Sequence, residues 1–317
     1  MGRYLMTLLL TLCAALVSMT CLGDETAATY ENLFQEALRS VPDVPRNKAA
    51  ADLAEQLGTE AIEFLKQRAM SGADRESTRM AIATLEHLGS EGAAHALGEL
   101  SKVRRPAAVP WPVAVSGLAL GALNRMPSDE ARAVLEDVAG SADAPNARWL
   151  ALVVLQGHGD RDTLTKLREI AKAESSERHQ LMLKFTMEVL QRRLDPSMTD
   201  DEMAQWKACA RDFTEDVFNP DPSRSIILAD IRTARRFADR RRFPFEFLRL
   251  YVEEAPTPSG IAMYLMALQK EQKALPILNK YVGQRGHAGE MARMALKAFE
   301  DEDGEQERSD RRWEVDR

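Results

Sequence analysis

The chain has 317 residues, a net charge of −7 with a pI near 5.5, and only 6% aromatic residues. Its acidity leaves no global positive field to attract nucleic acid or an anionic membrane surface, so any such partner needs a local patch. Alanine, leucine, glutamate and arginine are frequent and β-branched runs are scarce, which points to an all-α protein. The length allows two domains or one elongated array, since single cores rarely grow much beyond about 250 residues.

Residues 1–23 place Arg3 ahead of an apolar run from Leu5 to Val17, followed by small and polar residues. This is the pattern of a secretory signal cleaved near Gly23, with Cys21 as the lipid-bearing cysteine of a bacterial lipoprotein in the alternative. No later stretch approaches the roughly 18 apolar residues of a membrane span. The expected location is periplasmic or extracellular. Residues 24–45 read as an N-terminal capping segment. Export leaves Cys209 as the one internal cysteine, so no intramolecular disulfide is available and Cys209, in "QWKACARDF", reads as a small buried hydrophobe.

From residue 46 the chain repeats itself. Taking Gly58, Gly89, Pro127, Gly159 and Lys270 as turn positions, an alanine stands eight residues earlier each time: Ala50, Ala81, Ala119, Ala151 and Ala262. Four residues before each turn stand Ala54, Leu85, Leu123, Leu155 and Met266, and eight after it Leu97, Leu135, Leu167 and Leu278. The first copy is one residue short and places Leu65 there. Spacing by four puts each set on one helical face, and the break at the turn ends one helix and starts the next. Each unit is thus expected to be a helical hairpin, with Ser90, Ser128 and Asp160 as N-caps of second helices. A single hairpin cannot bury its stripe, so the hairpins are expected to stack into an α-solenoid.

The stretches "AIATLEHLGSEGAAHAL" and "WLALVVLQGHGDRDTLTKL" resemble the HEAT-like repeats of the phycobilisome-lyase type. The resemblance covers residues 46–194, with a further hairpin at 258–300. It implies a superhelix of stacked antiparallel hairpins and, since such repeats mostly serve binding and assembly, little about activity. Some relatives act as lyases or isomerases on bilin chromophores. That enzymatic reading is the alternative, and export weighs against it because bilin attachment is cytoplasmic work.

Breaks in the pattern carry the other expectations. Pro106, Pro110 and Pro112 read as an extended connector, and Trp111 between two of them is a candidate aromatic contact for a partner or a plug between hairpins. Residues 195–257 read as a non-repeat insert or degenerate hairpins, with one helix ending near Asn219 and another over "RSIILADIRTARRFADRRRF". Residues 301–317 are dense in charge and read as a disordered tail.

The most conspicuous charged feature is Arg232, Arg235, Arg236, Arg240, Arg241 and Arg242. Arg232, Arg236 and Arg240 share a helix face, a candidate patch for an acidic protein surface, an anionic glycan or a lipid head group. The opposing reading pairs these arginines with acids of the chain itself. Phe237 and Phe243 among them look like core anchors. His158, Asp160 and Asp162 surround one turn but lack a further ligand in sequence, so capping is preferred to a metal. GxSxG, GxxxxGK[ST], HExxH and CxxC are absent, and neither catalytic residues nor cofactor are expected. The expectation is an exported, non-catalytic scaffold or accessory subunit that binds a protein partner.

Overall fold

A computed structural model describes residues 26–42, 44–71, 74–103, 112–141, 145–218 and 225–300. Among them every regular element is helical and there is no strand. The chain divides into two compact units, residues 1–150 and 151–317, with the division inside α8, Pro145–His158. The proline connector of residues 106–110 with Trp111, the N-terminal residues 1–25 with Cys21, and the tail 301–317 lie outside the described residues.

In the first unit, α1 (26–40) is followed by α2 (Arg46–Leu57), α3 (Ile62–Ser71), α4 (Arg75–Leu88), α5 (Glu91–Ser101), α6 (Pro112–Arg125) and α7 (Asp129–Gly140). The hairpins α4–α5 and α6–α7 pair as the spacing predicts. First helices stack on first helices, α2 on α4 on α6, and second on second, α3 on α5 on α7. Ala50, Ala81 and Ala119 are fully buried, as are Leu85, Leu123, Leu65, Leu97 and Leu135. Each buried leucine contributes about 1.5–3 kcal/mol by leaving water.

Local chemistry sets the ends of these helices. Gly89 takes the left-handed conformation, φ 60°, that stops α4 without a Cβ penalty. Ser90 Oγ then accepts from Ala93 N at 3.3 Å, and Ser128 Oγ from Ala131 N at 3.1 Å, satisfying amides that the helix itself cannot. The first hairpin differs. Its second arm opens with a 3-10 turn, Thr59–Ala61, which rises more per residue than an α-helix and so absorbs the one-residue shortfall before Leu65. α1 packs on α3 through Phe34 and Tyr30 against Phe64, with ring centroids 5.9 and 5.7 Å apart.

The second unit contains the end of α8, then α9 (Arg161–Ala173), α10 (Glu177–Arg193), α11 (Asp200–Phe218), α12 (Ile226–Arg240), α13 (Phe245–Glu253), α14 (Gly260–Leu268), α15 (Ala274–Val282) and α16 (His287–Glu300). The register again holds where it was read: Ala151, Leu155, Leu167, Ala262, Met266 and Leu278 are buried. Asp160 Oδ1 accepts from Thr163 N at 2.8 Å, so this carboxylate caps α9. The helix expected over 224–243 ends earlier, at Arg240, because Pro244 disfavours helical backbone before it and opens α13 instead.

Helices α12, α14 and α16 run parallel in one layer. Asp230, Gly260 and His287 meet near their N-terminal ends, while Arg242 and Glu271, and Lys270 with Ala298 and Phe299, meet beyond their C-terminal ends. α13 and α15 are joined by Tyr281 Oη donating to Val252 O at 3.0 Å. The turn after α14 has no glycine. Lys270 takes φ 53° there, and its ammonium donates to the carbonyls of Ala298 and Phe299 at the end of α16, at 3.2 and 2.9 Å.

Candidate functional site

Ser225 caps α12, and the helix turns Ile231, Ala234 and Phe237 inward, leaving Arg232, Arg236 and Arg240 on its exposed face. Behind them Phe237 and Phe243 are buried against Phe213 and Phe247, with centroids between 5.5 and 6.0 Å, so these two rings anchor the core. The arginines at the end of the helix meet acids of the same unit. Arg241 Nε is 2.7 Å from Asp212 Oδ2, and Arg240 approaches the other oxygen of Asp212 at 3.6 Å. The close Arg241 contact is an ion pair without hydrogen-bond alignment. Arg242 pairs with Glu271 at 2.5 Å. Arg236 lies over the Phe237 ring, 5.6 Å from its centroid, and reaches Thr233 Oγ1 at 3.5 Å. Asp212 is buried, so removing Arg241 would take the nearer of its two arginines from a desolvated charge, whereas the exposed Arg242 pair is worth about 0.2–1 kcal/mol. Internal pairing engages Arg240, Arg241 and Arg242, while Arg232 and Arg236 lie on the exposed face of the helix and Arg235 is half-buried.

Three polar arrangements have no local signature in the sequence. His287 Nε2 lies 2.9 Å from Asp230 Oδ2 across the layer, over Gly260, where any Cβ would collide with both side chains. Burial raises the Asp230 carboxyl above the ordinary aspartate value, and the bond to His287 works in the opposite direction. Arg193 is buried and donates to Gly157 O at 2.7 Å and to Gly159 O, capping the C-terminal end of α8. Its guanidinium is lowered to about 10, first by burial and then by the charge of Arg211. Finally, Tyr251 Oη donates to Gln156 Oε1 at 2.5 Å, and Gln156 Nε2 donates to Thr186 Oγ1 at 3.3 Å. These partners stand 95 and 30 residues apart in sequence, which is why no pattern search finds them.

Cys209 is free and fully buried one turn before Asp212. Burial pushes its thiol up to about 12, so it stays protonated at neutral pH and lacks the thiolate that nucleophilic or metal chemistry requires. His158 and Asp162 add no metal cluster to the Asp160 cap. Among the described residues no group of three or more His, Cys, Asp or Glu converges, and no helix is long and apolar enough to cross a membrane. Family models, curated proteins and solved structures yielded no match to this chain.

Proposed function

We propose that the chain is an exported, non-catalytic scaffold that holds a protein partner on stretches of HEAT-like α-solenoid. The observation that supports this is the stacking in the first unit, first helix on first and second on second, upon small alanines and interleaved leucines. Such a stack consumes only the inward faces of its helices for stability. Its outward faces form a continuous array whose side chains are free to vary from copy to copy, which suits recognition of an extended partner. The exposed arginines of α12 add charge to one such face in the second unit.

The test is affinity capture from an envelope fraction with the purified chain, at low salt and at about 0.5 M, where exposed charge pairs are screened. Each captured protein is then titrated against the chain. A saturable complex with an envelope protein is expected. Absence of any specific partner at every salt concentration removes the scaffold reading, and recovery of the native chain only in the cytosolic fraction removes export.

A further inference from the structure

Cations on the second helices of the first unit are already engaged by acids. Lys66 of α3 pairs with Glu63 and Glu99, Lys102 at the end of α5 with Asp137, and Arg132 of α7 with Asp129, at 2.6–2.9 Å. α5 and α7 also open on acids, Glu91 and Asp129, as the positive end of a helix dipole favours.

α9, the matching helix of the fourth hairpin, is charged the other way. It opens on Arg161, and spacings of four, three and four set Arg161, Thr165, Arg168 and Lys172 in one row along it. All four are exposed, while Leu164 and Leu167 are buried on the inner face. Thr165 adds no charge to the row, and its hydroxyl donates to Arg161 O at 3.2 Å. Among the described residues no acid is ion-paired with Arg161, Arg168 or Lys172. Asp160 is committed to the cap, and Asp162 and Glu169 stand in the next row with Lys166. Arg161 gains nothing from the helix end it stands on, because the dipole there opposes a cation.

We infer that Arg161, Arg168 and Lys172 form a docking row for an acidic segment of the protein partner, a single file of carboxylates laid along α9. This rests on the scaffold reading and gives the partner a chemistry. Charge complementarity sets the sign of the ligand, and the neighbouring row sets its width. At about 1.5 Å per residue the row runs about 16 Å, which about five residues of extended chain cover at ~3.3 Å each. A broad anionic surface, such as duplex nucleic acid or a charged membrane, would also press on Asp162 and Glu169, and the net charge of −7 repels it. A narrow acidic segment meets the cations alone, and guanidinium groups take its carboxylates through paired N–H donors.

The probe is labelled hexaglutamate, titrated by fluorescence anisotropy against the full chain at low salt, with hexaglutamine and a short DNA duplex beside it. Hexaglutamate is expected to bind and hexaglutamine not, and about 0.5 M salt should abolish the binding. Arg161→Gln, Arg168→Gln and Lys172→Gln should each weaken it by about threefold to fivefold, the upper range for one exposed pair, and the triple variant by at least about thirtyfold. Lys297→Gln, which removes an exposed cation of α16, should leave it unchanged. Because the row is exposed, the variants should melt with the unaltered chain, and Arg168→Lys, which keeps the charge, should recover most of what Arg168→Gln loses. Equal weakening in Lys297→Gln would trace the attraction to net charge and refute the row. Tighter binding of the duplex than of hexaglutamate refutes the ligand. Self-association in sedimentation runs that the triple variant abolishes makes a second copy the occupant and overturns the assignment too. A captured partner that binds the triple variant as tightly as the unaltered chain overturns the row and leaves the scaffold standing. Hexaglutamate binding that needs the row, with no partner captured, keeps the carboxylate-binding row and removes the scaffold.

Discussion

The two units solve the same packing problem with different materials. The first fills its core with alanine and leucine at fixed intervals and cuts notches where helices must close in, as at Gly98, where an added Cβ would stand 2.5 Å from Val134 Cγ1. The second gathers Trp206, Phe213, Phe237, Phe243, Phe247 and Tyr251 into one aromatic cluster, and threads hydrogen-bonded Gln156, Thr186 and Arg193 through its interior. A periodic core works with interchangeable small parts. An aromatic core relies on a few large ones, each touching several others, and its buried polar groups must all find partners.

The largest effect should therefore come from a single ring. Phe247→Ala is expected to cost the second unit about 3–5 kcal/mol, read from urea unfolding followed by tryptophan fluorescence. Leu97→Ala, fully buried in the first unit, should cost about 2–5 kcal/mol; a value above that of Phe247→Ala would reverse the contrast between the units. Next comes Tyr251→Phe, which leaves Gln156 Oε1 without its donor in a buried setting and should cost about 1–3 kcal/mol. Two glycines give a test of sign. Gly117→Ala, with open space around it, should stabilise α6 by about 0.5–1 kcal/mol, whereas Gly98→Ala should destabilise because the methyl meets Val134. Equal responses in thermal melts would mean the notch is not needed.

The smallest effect is a matter of pH. The folded carboxyl of Asp230 is raised above the unfolded value, so its contribution to stability is present below the unfolded pKa, near 3.8, and is lost as pH rises through the folded one. Asp230→Asn should accordingly gain on the unaltered chain at neutral pH, with the gap closing toward pH 4. Melting temperatures of the pair between pH 7 and pH 4 decide this. A gap that widens on acidification would show that the ion pair with His287 outweighs burial.

Helix boundaries at the repeat turns were legible and the partners of helix C-terminal carbonyls were not, for a physical reason. An N-cap oxygen lies three residues from the amide it accepts, so Ser90, Ser128 and Asp160 could be read from their neighbours. The carbonyls at C-terminal ends are met by cations from elsewhere: Arg148 donates to Ala139 O at 3.1 Å and Arg293 to Val282 O at 2.8 Å, as Arg193 does for α8. Only the folded chain brings these together. The same holds for the candidate sites. The arginines of α12 stand out in sequence because they are adjacent, yet Asp212 and Glu271, which engage three of them, come from other helices. Arg161, Arg168 and Lys172 escape notice because Asp162 and Glu169 stand among them in sequence, and only the burial of Leu164 and Leu167 shows which rows face out. α13 was missed because its nine residues follow a proline in a stretch with no copy elsewhere.

Lys270 shows what a turn gains by having a side chain in place of glycine. Where three of the other four copies turn on glycine, this one holds a left-handed backbone at a side-chain-bearing residue, and that side chain closes the end of α16. Once the lysine has this second task, reversion to glycine would ease the turn but open the end of the neighbouring helix. One side chain thereby ties two helix ends together, the turn after α14 and the close of α16, while the buried Ala262 keeps the register shared with the other hairpins.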